Sequence, residues 1–408
     1  MEAPAPYAAG YQLRVLKEWL AGRPVPPPPA DVAPEAFLQL TYANRTAPLM
    51  YLVLDPALLP ETWREASLRL QQAYHQSVVH GLAQLSDGAR LSGALTRRGI
   101  PVLAFRGPFA AQDLYGEPGV RPAADIDLLV PRACRNAALR VAEEAGYDLC
   151  DTLTPRWFYR RNHFQWTLRH RERGTLCDLH WAVQQPYKPI RMDYEALFRR
   201  AERSDSHGLS WTRPAPGDAL LLACIHLGKE YPAGSLRAVS GGWPADVAET
   251  HVLLPWLDVA RLVAGGRGRL DWPAILACAE AWRVQPDLAA GLAGAAAWFG
   301  APVPAEVADA LQPILHEDAE YRRIHDHDVI YSAEGIRQTG RYRSMLARFG
   351  LPYLFPPRHY FGRARGARRI LRQAAHAVRA AARLALGLLE GLVRDAVVLA
   401  RRRAHQRH

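Results

Sequence analysis

The sequence predicts an α+β protein: a small mixed sheet flanked by helices, then a mostly helical domain and a basic C-terminal helix. Short apolar runs typical of buried strands occupy residues 100–105, 126–130, 164–169 and 175–183. Apolar residues near helical spacing lie on both sides of these runs. Apolar residues form 49% of the chain and charged residues 22%, which is typical of a globular protein.

Changes in composition divide the 408 residues into four predicted parts. The first is a helical and proline-rich segment, with a helix over residues 11–20 and a stiff connector over residues 23–29. A strand-containing domain, a helical domain, and a linker with a basic amphipathic helix follow. The four ranges are residues 1–59, 60–213, 214–349 and 350–408.

In the strand-containing domain, helices precede and separate the strands. Residues 35–98 read as helical, with a helix start at Pro60 and a second helix over residues 87–98. Further helices are expected over residues 108–114 and 132–145. The last two strands form a hairpin around a turn at residues 172–174.

The helical domain consists of apolar segments separated by Pro or Gly. The predicted helices cover residues 217–227, 255–263, 272–282, 288–299, 304–315 and 333–349. One long helix is predicted over residues 364–400.

Two aspartates lie one residue apart at the head of the second strand. In a strand, Asp125 and Asp127 share one face, while Ile126 and Leu128 point into a core. Two such carboxylates repel each other unless a cation lies between them. Mg²⁺ favours carboxylate oxygens shared with substrate phosphates. The pair therefore indicates a magnesium site.

The predicted hairpin supplies a third carboxylate, Asp178, on the same strand face as His180. Three carboxylates on adjacent strands hold two Mg²⁺ ions in phosphoryl-transfer sites. Asp125, Asp127 and Asp178 are thus the predicted metal and catalytic residues. His180 is expected to contact these carboxylates rather than the metal itself.

Basic residues and a glycine near these carboxylates are candidates for binding the triphosphate. Gly107 follows a strand and begins a helix, so its backbone can approach phosphate closely. Arg106 and Arg121 can form bidentate contacts with phosphate. Lys229, on a predicted helix, is a further candidate.

The order Arg106-Gly107, Leu114-Tyr115-Gly116, Arg121-x-x-x-Asp125-Ile126-Asp127-Leu128-Leu129-Val130 and Asp178-Leu179-His180-Trp181 resembles a known group. It is similar to the uncharacterised bacterial nucleotidyltransferase family of the polymerase-beta-like nucleotidyltransferase superfamily. Weaker matches extend the resemblance over residues 60–310. It implies that Asp125, Asp127 and Asp178 bind metal and that Gly107 lies in the phosphate loop. Arg106 replaces the usual Lys, and Pro108 stands where the superfamily often has Ser.

The predicted function is therefore Mg²⁺-dependent transfer of an NMP from an NTP such as ATP to an acceptor hydroxyl, with release of pyrophosphate. Two Mg²⁺ ions are expected, and Mn²⁺ is an alternative metal. A kinase-like phosphotransferase would use the same carboxylates. A non-catalytic nucleotide-fold binding module is the third reading.

Most of the positive charge lies at the C-terminus. Residues 363–408 contain 12 Arg and 2 acids, so they carry +10 of the net +11 and leave +1 for the rest. A near-neutral body favours a small molecule, sugar or peptide over nucleic acid as acceptor. Residues 364–408 are expected to contact a membrane surface or a protein, the chain's own helical domain included, or an RNA.

The compartment is predicted from what the sequence lacks. It contains no apolar run long enough to cross a membrane, and its start has no secretory signal pattern. Five scattered cysteines without a CxxC spacing indicate neither a zinc site nor a disulfide framework. A cytoplasmic location is expected, with membrane association through the C-terminal helix as an option.

Overall fold

The computed structural model describes residues 6–150, 159–160, 163–184, 190–230, 253–266 and 268–324, together with residues 374 and 378. The predicted helices over residues 333–349 and 364–400 lie outside these ranges, apart from residues 374 and 378. Within the described ranges the fold is α+β, as predicted, with twelve α-helices and seven strands.

The α-helices are α1 (Pro6–Leu20), α2 (Pro34–Ala43), α3 (Ala47–Val53), α4 (Arg64–Arg97), α5 (Pro108–Tyr115), α6 (Arg135–Glu144), α7 (Tyr194–Arg200), α8 (Pro216–Glu230), α9 (Leu253–Gly265), α10 (Trp272–Trp282), α11 (Gln285–Phe299) and α12 (Ala305–Ile324). Six of the helices predicted around and after the sheet are present with shifted ends. The helix over residues 272–282 has the predicted limits.

Five strands form the main sheet: β1 (Leu103–Ala104), β2 (Ile126–Leu129), β3 (Tyr147–Leu149), β4 (Gln165–His170) and β5 (Leu176–His180). Their order across the sheet is β1-β2-β5-β4-β3. Strand β2 is parallel to β5, and all other neighbours are antiparallel. The sheet is therefore mixed, and among the described strands the one parallel pair joins β2, which carries Asp127, to β5, which carries Asp178.

Helix α4 differs from the prediction, because one helix of 34 residues replaces two. The predicted break before Asp87 contains no proline, and both Asp87 and Gly88 are buried. A Cβ on Gly88 would lie 2.7 Å from the Phe109 ring and 2.9 Å from Ile126 Cγ2. The glycine therefore serves close packing of α4 on β2 and α5 rather than a turn.

A second sheet was not predicted. It is a two-stranded hairpin of β6 (Glu202–Ser206) and β7 (Leu209–Arg213). Its first strand contains no apolar residue, so hydrophobic alternation could not indicate it. Trp211 anchors the hairpin, since its side chain is buried in the core beneath the main sheet.

The apolar core has two parts. One fills the space between the main sheet and helices α4 and α6, and includes Ile126, Leu128 and Leu179. The other packs the N-terminal helices against α8, α9 and α11, with Leu16 and Trp256 among its fully buried members. The N-terminal segment and the later helices thus share a core.

Two further findings concern the cysteines and the membrane prediction. All five cysteines are free thiols in the described part of the chain, and Cys177 and Cys224 are buried. No helix among the described residues combines the length and the apolarity that crossing a bilayer needs.

Candidate active site

The register of β2 and β5 places the predicted ligands side by side. Asp127 pairs with Asp178 across the parallel strands, and Asp125 immediately precedes β2. These three residues, called the carboxylate cluster below, line a cavity of about 240 Å³. Gly107 and Gln165 line the same cavity. The structure therefore brings all three predicted carboxylates to one place.

Asp127 is buried and held by two donors. Arg106 Nη2 donates to Asp127 Oδ1 over 2.7 Å, and His180 Nε2 lies 2.8 Å from the same oxygen. Burial alone would raise the Asp127 pKa, but the guanidinium and the imidazole more than offset burial, so the pKa lies below its ordinary value. Both donors use Oδ1, so the second oxygen is left for a cation.

Asp178 is held by two side chains of β4. Thr167 Oγ1 donates to Asp178 Oδ1 over 2.7 Å, and Gln165 Nε2 donates to Oδ2. Burial raises the pKa of Asp178, with a smaller contribution from the charge of Asp127. Each carboxylate oxygen retains a second lone pair, so the two donors orient Asp178 without excluding a metal.

Asp125 is strongly affected by the repulsion between the three carboxylates. Its pKa is raised from the ordinary 3.8 to about 7, first by burial and then by the charges of Asp127 and Asp178. Arg106 opposes this shift only in part. A divalent cation would remove the repulsion, so the donor set fits a metal.

His180 lies behind the carboxylates and is fully buried. The ring packs against Phe105 and Phe164, with centroids 5.1 Å and 5.7 Å away. Possible ligand atoms of Asp127, Asp178 and His180 all lie within 4.8 Å of one another. Asp125 is outside that set. Because Mg²⁺ prefers oxygen and His180 Nε2 already contacts Asp127, the histidine is better suited to orient Asp127 than to bind metal.

Gly107 has the geometry that the strand-to-helix turn requires. Its φ is +68°, and it caps α5. A Cβ at this position would lie 2.5 Å from the carbonyl oxygen of Asp125. Both facts exclude other residues, and the close approach places the start of α5 beside the carboxylate cluster.

Arg106 connects the cluster to the helical region. Its guanidinium contacts Asp127 and also donates through Nη1 to His226 Nδ1 on α8. Its Nε is buried without a hydrogen-bond partner among the described residues. The guanidinium therefore has N–H groups beside the carboxylates that neither Asp127 nor His226 uses.

Arg121 also lines the cavity, but its Nε donates to Asp258 Oδ2 on α9 over 2.7 Å. Tyr115 Oη donates to Asp258 Oδ1 over 2.9 Å. Arg121 and Asp258 side chains are only 11% and 9% exposed. The ion-pair cluster, as it is called below, consists of Tyr115, Arg121 and Asp258. It joins the sheet region to α9, and the charge of Arg121 balances that of Asp258.

Lys229 lies in α8, but its side chain is outside the described part of the structure. Its predicted contact with the triphosphate stays a prediction.

Comparison with known proteins decides the family. A family model described as an uncharacterised nucleotidyltransferase matches residues 30–300, about two thirds of the chain. The chain belongs to this family. No curated protein and no solved structure matches the sequence significantly. Membership indicates a transferase that uses an NTP. The matched residues include Tyr115, Arg121 and Asp258, so the ion-pair cluster lies within the region that the family model describes.

Four side chains at the site were not predicted from the sequence. Gln165 and Thr167 alternate on β4, so polar period-two spacing on the predicted hairpin could have indicated them. His226 and Asp258 lie on helices far along the chain, where only the tertiary fold shows that they reach the cavities.

Proposed function

We propose that this chain is a Mg²⁺-dependent nucleotidyltransferase. It transfers an NMP from an NTP to an acceptor hydroxyl and releases pyrophosphate. The observation that carries the proposal is the carboxylate cluster, in which Asp127 and Asp178 stand in register and Asp125 borders the same cavity as the Gly107 turn.

Two Mg²⁺ ions, or Mn²⁺ ions in place of Mg²⁺, would be held by Asp125, Asp127 and Asp178. Bound there, the metal would neutralise charge on the triphosphate and activate the attacking oxygen. The chain's own contribution is to fix the carboxylates. His180 and Arg106 fix Asp127, while Thr167 and Gln165 fix Asp178.

The transfer step makes and breaks one bond at phosphorus. The acceptor oxygen forms a bond to the α-phosphorus, and the bond from that phosphorus to the β-bridging oxygen breaks. The electron pair of the broken bond leaves with pyrophosphate. The acceptor proton passes to the carboxylate of Asp178, whose pKa is raised by burial.

Triphosphate binding would use groups around the cavity. Backbone at Gly107 approaches closely at the start of α5, where the helix dipole favours an anion. Arg106 and Arg121 would donate to phosphate oxygens with the guanidinium NH groups not used by their present partners. Lys229 would add a cation from α8.

Labelled ATP tests the proposal against the phosphotransferase reading. The full chain is incubated with Mg²⁺, a cell metabolite extract as source of acceptors, and ATP labelled at either the α- or the γ-phosphate. The proposal predicts label in the acceptor from α-labelled ATP only, with equal release of pyrophosphate. Transfer of γ-label would show a kinase instead. No transfer and no binding of Mg·ATP by calorimetry would favour a non-catalytic module.

A further inference from the structure

A second cavity adjoins the one that contains the carboxylate cluster. Its volume is about 260 Å³, and α5, α8, α9 and the end of the β6–β7 hairpin contribute to its walls. The two cavities share Arg106, Arg121, His226 and Pro255 in their linings. A ligand in the second cavity would therefore end beside the proposed reaction centre.

The second cavity has an apolar wall and an excess of positive charge. Its apolar lining includes Phe105, Ala110, Leu114, Ala219, Ala223 and Leu262. Five arginines and two aspartates also line it: Arg106, Arg121, Arg213, Arg261, Arg269, Asp113 and Asp258. Their formal charge is 5 − 2 = +3, counted on that lining. An uncharged nucleoside needs no such excess, whereas an anionic ligand does.

Both aspartates already have strong partners. Asp113 accepts hydrogen bonds from Ser204 and Trp211 and lies 3.5 Å from Arg213. Asp258 belongs to the ion-pair cluster. Arg121 and Arg213 thus neutralise the acidic charge in the wall, and Arg106 pairs with Asp127 of the carboxylate cluster. The positive charge that remains for a ligand is that of Arg261, which donates to a backbone carbonyl, and of Arg269, whose ion pair with Glu202 is long.

Arg269 is the most exposed of the five arginines in this wall. Its side chain is 57% exposed, and its ion pair with Glu202 is long, at 3.6 Å. Arg261 instead donates to the Leu114 carbonyl over 2.8 Å. Arg269 can therefore turn to an anionic group at the cavity without losing a strong contact.

We infer that the second cavity binds the acceptor, and that the acceptor is a small molecule with an apolar body and an anionic group. Its hydroxyl would lie at the shared wall near Arg106. The inference rests on the proposed function. A volume near the lower end for small-molecule sites suits a metabolite better than a polymer.

Two fluorescent probes with one apolar body test this chemistry: 8-anilinonaphthalene-1-sulfonate, which is an anion, and uncharged N-phenyl-1-naphthylamine. Gly265 lines the cavity at the end of α9, and a Cβ there meets no atom within 4 Å. Gly265→Phe therefore adds a large side chain at the cavity wall, and its Cβ has room. We expect the Kd of the sulfonate to rise at least about tenfold.

Gly10→Phe is the matched control, because Gly10 on α1 has equally open space and does not line the cavity. It should leave both Kd values unchanged. Sulfonate binding that is absent from the wild type, or equal in the wild type and Gly265→Phe, would overturn the inference.

The charge requirement is tested by Arg269→Gln. We expect a roughly fivefold higher Kd for the sulfonate and no change for the uncharged probe, since an exposed ion pair contributes about 1 kcal/mol. Arg203→Gln is the control, because Arg203 is 74% exposed on the hairpin and does not line the cavity. An equal change for both probes would contradict the requirement for an anion.

A non-cleavable nucleotide separates acceptor from donor. The full chain is saturated with Mg²⁺ and α,β-methylene-ATP, and sulfonate binding is measured again. Retained binding is expected, because the nucleotide would occupy the carboxylate cavity. Competitive displacement would assign the second cavity to the nucleoside and overturn the inference. Failure to bind the nucleotide at all would instead contradict the proposed function, whatever the probe does.

Discussion

The carboxylate cluster and the ion-pair cluster both place carboxylates at adjoining cavities, yet their charges are arranged in opposite ways. In the ion-pair cluster, one carboxylate accepts from one guanidinium and one phenol. In the carboxylate cluster, three acids share one cavity, and of the three arginines that line it Arg106 forms the ion pair with Asp127. The first arrangement is balanced within the protein, whereas the second leaves carboxylate repulsion that a cation would relieve.

This difference is the basis for proposing a structural role for the ion-pair cluster and a functional role for the carboxylate cluster. Burial raises the pKa of Asp258, but Arg121 and Tyr115 oppose the shift. At Asp125, burial and two neighbouring carboxylates act in the same direction and raise the pKa to about 7. Proteins tolerate such repulsion where a ligand relieves it.

The largest expected effect is on catalysis, through Asp127→Asn. Because the amide cannot supply the charge that holds the metal, we expect roughly a 10³-fold loss of NMP transfer with an unchanged fold. Activity is measured with α-labelled ATP, and folding by circular dichroism. Wild-type transfer by this variant would rule out the assignment of Asp127.

The second prediction concerns stability, through Arg121→Met. Removing the guanidinium leaves Asp258 buried without its ion pair, so the free energy of unfolding should fall by about 3 kcal/mol. Urea denaturation measures the change. The double variant Arg121→Met, Asp258→Leu should recover most of the loss, since neither charge then remains. No loss in the single variant would show that the ion pair does not stabilise the fold.

Asp125→Asn should have the opposite effect on stability. The pKa of Asp125 is higher in the folded state than in the unfolded state, so its ionisation lowers the free energy of unfolding. This loss grows as pH rises from about 4 to 7 and stays constant above pH 7. The variant removes that loss. We expect the metal-free protein to gain at least about 2 kcal/mol at pH 8 and less at pH 5, while transfer is lost. Thermal unfolding at the two pH values checks this, and a gain that is equal at both would contradict it.

The smallest effect is expected at Thr167. Thr167→Val keeps the shape but removes the hydrogen bond to Asp178, so about tenfold more Mg²⁺ should be needed for half-maximal transfer. Thr167→Ser restores the hydroxyl and should behave as the wild type. If Val and Ser variants require the same Mg²⁺ concentration, the hydroxyl does not orient Asp178.

Much of this organisation could be predicted from local sequence. The apolar runs identified four of the five strands in the main sheet, and the alternation rule placed Asp178 and His180 on one face. Strand β3, only three residues long, gave too short a pattern. The Gly107 turn followed from a glycine between a strand and a proline-started helix.

The partners of the predicted residues could not be predicted in the same way. Arg121 contacts Asp258, which is 137 positions away in sequence, and Arg106 contacts His226, which is 120 away. Such pairs depend on how α8 and α9 pack against the sheet, and no periodicity in one segment encodes that packing.

The central claim is that the carboxylate cluster holds a divalent cation, and Mn²⁺ binding tests it most directly. Electron paramagnetic resonance counts free Mn²⁺ as it is titrated into the wild type, Asp127→Asn and the exposed-acid control Asp205→Asn, each with α,β-methylene-ATP. We predict saturable binding by the wild type and the control, and its loss in Asp127→Asn. Equal binding by all three proteins would contradict the claim.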